Sequence, residues 1–204
     1  MGDKAMLKIL LIRPGVTDFD EQGRIKGTLD IPLNENGTAQ VAQTIDELAS
    51  QEIDAIYMSP CQCCEQTAEL LTKSRDMKAK SLKGLKNLNH GLWHGKRIEE
   101  VKQQQPKVYR QWQEHPETVC PPEGERLADV KARVETTLAK LIKKHKDGVI
   151  AIVVPEPLTS VLMSLLKEST LGDLWRAECQ GGGWEAFQMT PGGKAAVAQT
   201  PIAT

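Results

Sequence analysis

What this sequence lacks narrows it before any motif is read. Neither sign of charge is in excess, since 26 basic side chains against 27 acidic ones leave a net charge of −1. So balanced a chain has no electrostatic reason to take nucleic acid or an anionic membrane as its main partner. No apolar run reaches the length a bilayer demands. The first residues, Met1 to Met6, lack the apolar core of a secretion signal, and Met6 stands where a myristoylation signal wants Ser or Thr. Five cysteines are an odd number, which favours reduced thiols in the cytoplasm over a disulfide framework. Paired cysteines at zinc spacing are absent, and there is no internal repeat.

What is present reads as one α/β domain. A chain of 204 residues is long enough for a sizeable core. Leu7 to Ile12 is an apolar run expected to be a buried strand, ending at Arg13 with Pro14-Gly15 as a turn. Asn34 is placed to cap a helix to about Ser50, with Ala39, Ala42, Ile45 and Leu48 inward. Ala55–Met58 and Ala79–Leu82 are expected strands. Ser59-Pro60 opens a helix carrying Cys61 to Lys73. Two short helices, Ile98–Gln105 and Lys107–Glu114, fall in residues 84–122, which read as an insertion over the cleft. A long amphipathic helix spans Leu127–Lys146 with Val130, Val134, Leu138, Leu141 and Ile142 inward. Val149–Val154 is uniformly apolar, as in a buried parallel strand. A helix from Pro157 to Lys167 and a strand from Trp184 to Met189 follow. Alternating strands and helices imply a three-layer α/β/α sandwich with a mainly parallel sheet. The domain is expected to end at residue 191, with 192–204 a flexible tail.

Ligands of open α/β sheets collect at the carboxyl ends of strands, so the residues just past Ile12 and Val154 are candidates. Here the motifs accumulate in order: Arg13-Pro-Gly15, Gly23-Arg-x-x-Gly27 with Asp30-Ile-Pro-Leu33, Ser59-Pro60 with Gln66-Thr-Ala68, Gly91-Leu-Trp-His-Gly95, and Glu123-Gly-Glu125. Each is weak alone. Together, over Leu7 to Met189, they resemble the histidine phosphatase superfamily, the phosphoglycerate-mutase-like proteins.

That resemblance implies a phosphohistidine mechanism, in which an imidazole attacks phosphorus while arginines and a second histidine hold the oxygens and a glutamate moves the proton. At the implied positions this sequence has Pro14 for the nucleophile, Pro155 for the second histidine, Cys63 for the second arginine, Asn87 for the glutamate and Asp20 for a phosphate-binding asparagine. Arg13 alone is kept. An Asp20 carboxylate about 5 Å from a phosphate charge would repel it by roughly 3 kcal/mol at a dielectric near 20. The expectation is therefore a catalytically inactive member with a binding, regulatory or scaffold role toward a small ligand or a protein. Its vestigial pocket is Arg13, Pro14, Asp20, Cys63, Asn87 and Pro155, and no cofactor or metal is expected. A homodimer is what the resemblance implies, since such proteins often pair.

Two rivals stand beside it: an active phosphatase or phosphomutase with a remodelled site, and a thiol or metal site built on Cys63. Against the second, Cys61 and Cys64 lie three apart and share a helix face toward the core, leaving Cys63 to point into the pocket. His90, His94, Cys120 and Cys179 are the other soft donors to hand. His94 reads as a loop histidine, His115 and His145 as helix-end residues, and Trp93 and Trp112 as core.

Overall fold

The computed structural model describes residues 6–73, 75–189 and 195–199, the last five without their side chains. Its sheet has six strands, β1 (Lys8–Ile12), β2 (Ala55–Met58), β3 (Ala79–Ser81), β4 (Val149–Val153), β5 (Trp184–Met189) and β6 (Ala195–Gln199). They lie in the order β3-β2-β4-β1-β5-β6. The β1/β4, β2/β4 and β2/β3 ladders are parallel, whereas β1/β5 and β5/β6 are antiparallel. The expected α/β fold, with helices on both faces of a mostly parallel sheet, is what the chain adopts.

Both faces are buried because the central strands β1 and β4 are apolar at every position but Lys8, the half-buried first residue of β1. Successive residues point to opposite faces, so Ile9 and Leu11 of β1 join one core and Leu10 and Ile12 the other. The first core is the larger. It takes Ile150 and Ile152 of β4, then Val130, Val134 and Leu138 of α6 (Leu127–Lys144), and Val161 and Leu162 of α7 (Leu158–Lys167). The second is built of smaller groups: Ala151, Ala186, and Cys63, Cys64, Ala68 and Leu71 of α3 (Gln62–Thr72). Each fully buried large aliphatic side chain contributes about 1.5–3 kcal/mol.

Helix α2 (Glu35–Glu47) is capped as expected, the Asn34 side chain accepting from the Gly37 N–H at 2.8 Å. Its inward face is the expected one only in its second half: Ile45 packs against the second core and Leu48, just past the helix end, is buried, but Gly37, Val41 and Thr44 face inward where Ala39 and Ala42 are exposed. The reason is the close approach of the turn after β1: Gly15 and Gly37 meet backbone to backbone, so that turn selects the glycine face of α2.

Residues 84–122 hold α4 (Ile98–Gln104), α5 (Pro106–Glu114) and three short 3₁₀ turns. They are tied down by tryptophans. Trp93, Trp112 and Trp175 pack with ring centroids 5.6–5.9 Å apart, and Tyr109 stacks on Trp175 at 5.4 Å. Two short helices escaped the sequence reading, α1 (Asp18–Glu21) and α8 (Leu174–Glu178). The flexible tail expected over 192–204 is corrected at Ala195–Gln199, which pair antiparallel with β5. The free edge of β5 supplies hydrogen bonds that the local composition gives no hint of. The rest of that stretch lies outside the described residues.

A glycine-to-alanine change inside a helix normally stabilises by about 1 kcal/mol. At Gly37 the added methyl would collide with the Val16 carbonyl. Gly37→Ala is expected to destabilise by about 1–3 kcal/mol, read as a lower urea midpoint. A raised midpoint would show that this backbone contact is slack.

Candidate functional site

The parallel β1/β4 ladder sets Ile12 opposite Val153, and the Val154 N–H closes it on the Ile12 carbonyl at 3.1 Å. Both chains therefore leave the sheet at the same edge. Pro14 and Pro155 follow, both buried and neither with an N–H to extend the pairing. The Pro14 carbonyl accepts from the Gly182 N–H at 2.7 Å, and the Pro155 carbonyl accepts from the Thr159 N–H at the start of α7. Strand β2 ends at this edge too, the Ser59 N–H reaching the Val153 carbonyl at 2.9 Å, and α3 starts there with Cys63 buried in its first turn. Asn87 comes over from the insertion, donating through Nδ2 to the Gly27 and Glu156 carbonyls at 2.9 Å each. Arg13, Pro14, Cys63, Asn87 and Pro155 thus occupy one end of the sheet.

The charges there are arranged differently from the sequence expectation. Arg13 Nε donates to Glu156 Oε1 at 2.8 Å, and the Glu156 side chain is fully buried. The second Glu156 oxygen accepts from the Ser160 N–H and hydroxyl at 3.1 and 2.7 Å. Asp20 is buried against Lys26, Oδ1 to Nζ 2.5 Å, and its Oδ2 accepts from the Thr17 N–H and hydroxyl. This corrects the picture of Asp20 as an unopposed negative charge: Lys26 answers it, and the roughly 3 kcal/mol of repulsion largely cancels. Burial alone would pull the Lys26 ammonium down. Attraction to Asp20, then to Cys63 and Glu178, more than reverses that, so its pKa lies above the ordinary lysine value.

A third pair lies beside these. His90 Nε2 is 2.5 Å from Glu178 Oε1, both side chains fully buried against Trp93 and Trp112. His90 Nδ1 and Glu178 Oε2 have no partner. Neighbouring His94 accepts the Thr28 and His90 N–H groups at Nε2, each at 3.2 Å. Its pKa is lowered, first by burial and then by His90.

The cysteines also depart from expectation. Cys61 is not inside α3 but caps it in extended conformation, so the three-apart helical argument does not apply to it. The Sγ atoms of Cys61, Cys63 and Cys64 gather within 4.8 Å of one another, with Cys61 to Cys63 at 3.7 Å. Cys120 and Cys179 are exposed. Glu156, Lys26 and Glu178 are the residues sequence reasoning missed. Glu156 had a local signal, lying between Pro155 and Pro157; the pairing of Glu178 with His90 across 88 residues had none.

With this geometry in hand, comparison with known proteins is specific. The profile of the histidine phosphatase superfamily (branch 1) matches residues 9–200. Phosphoserine phosphatase 1 of Hydrogenobacter thermophilus is 29% identical over 185 residues, covering 90% of this chain and 87% of that protein. The adenosylcobalamin/alpha-ribazole phosphatase of Salmonella typhimurium is 23% identical, covering 91% and 92%. Among solved structures, Bacillus stearothermophilus YhfR superposes with a TM-score of 0.86 at 26% identity, covering 97% of this chain and 98% of that one.

Two measurements test the electrostatics. Lys26→Met strands a buried carboxylate and is expected to cost about 3–5 kcal/mol, most of it regained in Lys26→Met/Asp20→Asn. Equal stabilities for the single and double variants would refute the pairing. For His94 the folded pKa is lowered, so its contribution is present above about pH 6.5 and lost as pH falls through the folded value. Thermal stability of the native chain should therefore drop more between pH 7 and pH 5 than that of His94→Gln. Parallel profiles would show that His94 does not titrate on folding.

Proposed function

The chain belongs to the histidine phosphatase superfamily, and we propose that this member binds rather than catalyses, its phosphohistidine chemistry lost and its cleft given over to a regulatory or scaffold role. The positions that the resemblance assigns to imidazoles are Pro14 and Pro155, and proline has no nitrogen lone pair to phosphorylate. Cys63 and Asn87 replace the second arginine and the acid–base glutamate. Loss of a covalent nucleophile alone costs a factor of ~10⁴ to 10⁶.

One observation carries the reading: the guanidinium of Arg13 is already held by the buried carboxylate of Glu156. A phosphate dianion drawn to Arg13 would meet the Glu156 carboxylate beside it, and one unit of like charge about 5 Å away at a dielectric near 20 repels by roughly 3 kcal/mol. That is roughly 10² in affinity. The rival, an active phosphatase with a remodelled site, draws on relatives that are named phosphatases. It needs another nucleophile, and His90 is buried and bound to Glu178. The ligand in this proposal is a small molecule or a protein partner, met in the cytoplasm, and no helix of the described residues is long and apolar enough to cross a membrane.

The test is an assay with phosphoserine and a generic aryl phosphate, alongside a phosphate titration. The native chain is expected to show no turnover above buffer, and Pro14→His to remain inactive, because the restored imidazole still faces an arginine engaged by Glu156. Adding Pro155→His, Cys63→Arg and Glu156→Gln to Pro14→His should recover phosphate binding. Turnover by the native chain that survives repurification, or substantial turnover by Pro14→His alone, would overturn the proposal.

A further inference from the structure

Three thiols meet beside the cleft, and of these only Cys63 enters the reading above. Their convergence has a local cause. Cys61 caps α3 with φ −148° and ψ 152°, which folds its side chain back over the first turn, where Cys63 and Cys64 sit. The Sγ atoms lie within 4.8 Å of one another, and Cys61 Sγ to Cys63 Sγ is 3.7 Å. Three sulfurs bound to one ion at ~2.3 Å in a trigonal plane would lie about 4 Å apart, so the cluster needs little adjustment to close on an ion.

We propose that Cys61, Cys63 and Cys64 form a tris-thiolate site for one soft d¹⁰ cation, Cu(I), at the N-terminus of α3. Thiolates select Cu(I) and zinc over the harder metals. The choice between those two rests on donor number. Among the described residues the cluster has three ligand atoms and no fourth. Three donors complete a trigonal Cu(I) site, whereas zinc in closed protein sites takes four.

The surroundings suit an electron-rich centre. The dipole at the start of an 11-residue helix favours thiolates, and the Gln62 N–H there is already taken by Asp30 Oδ1 at 2.6 Å. The Lys26 ammonium lies within electrostatic reach of Cys63. Cys63 and Cys64 are buried, which shields a bound ion from oxidants, while Cys61 is half-buried and provides the way in. Hydrogen bonds from Cys63 and then Cys64 hold the Cys61 thiol well below its ordinary pKa. The hydrogen bond to Cys61 pushes Cys63 up, and burial pushes Cys64 up. Each thiol that binds gives up its S–H proton to solvent, so forming the copper–sulfur bonds releases protons. No change of oxidation state is involved. The site is independent of whether the cleft binds phosphate.

The experiment uses the reduced full-length chain under anaerobic conditions, titrated with Cu(I) against a chromophoric Cu(I) chelator. Expected are one copper per chain, a near-ultraviolet thiolate-to-copper absorption, and release of protons into weak buffer. Cys61→Ser and Cys63→Ser should each weaken binding by about 100-fold or more. Cys120→Ser/Cys179→Ser should bind as the native chain does. Because Cys63 is a core residue, circular dichroism accompanies each variant, and half-buried Cys61 supplies the decisive case if Cys63→Ser unfolds. Copper left entirely with the chelator, unchanged affinity in Cys61→Ser, or loss of binding in Cys120→Ser/Cys179→Ser would overturn the site. Stoichiometric Zn(II) binding that excludes Cu(I) would overturn the choice of ion.

Discussion

The register of β1 against β4 is the constraint on which the rest depends. With Ile12 opposite Val153 in a parallel ladder, the chain must leave both strands at one edge, and Arg13-Pro14 runs beside Val154-Pro155. A slip of one residue would exchange the two faces of β1, sending Ile9 and Leu11 into the core shaped for Leu10 and Ile12. The two cores are not interchangeable. One is dominated by large aliphatics and three tryptophans, while the other mixes Leu10, Ile12, Leu48, Ile56 and Trp184 with alanines and thiols, so the register is held by volume on both sides. The shape of the cleft follows from that packing. Removing catalytic side chains at the strand ends leaves the determinants of the fold untouched.

Electrostatics sets what the cleft can hold. A site made to receive a phosphate dianion keeps cations uncompensated until the ligand arrives. Here the chain supplies its own carboxylates: Glu156 to Arg13 and Asp20 to Lys26. Each carboxylate is buried, and a buried charge persists only if it is paired. The same scaffold supports proteins named as phosphatases, which is the ordinary relation between fold and chemistry: the site, not the sheet, carries function.

How much of this was legible in the sequence depended on range. β1 and β4 were readable because burial on both faces leaves an unbroken apolar run, and α6 because its inward positions recur at helical spacing. The Asn34 cap was readable because a side chain three residues from its partner is a local event. Ala39 and Ala42 were misassigned because the face of α2 is chosen by Gly15 on another segment, not by the hydrophobicity of the helix. The Arg13–Glu156 and His90–Glu178 pairs join residues 143 and 88 apart, and no periodicity encodes such a meeting. Asp20 was seen as a charge without its Lys26 partner, so the sign of the site was misjudged. The sequence places Cys61 inside α3 because helix starts are uncertain by a residue or two. That one residue decides whether three sulfurs diverge or converge.

Facing cations in a low-dielectric cleft are a standing cost to stability, which a site tolerates for its activity. Carboxylates that neutralise such cations are favourable wherever that activity does not require them free. Glu156 fits that logic closely: it is flanked by Pro155 and Pro157, accepts from Arg13 on one oxygen and from Ser160 of α7 on the other, and so ties the turn after β1 to the helix after β4. The same carboxylate that occupies Arg13 therefore braces this end of the sheet, so the charge balance of the cleft and its local order rest on one ion pair.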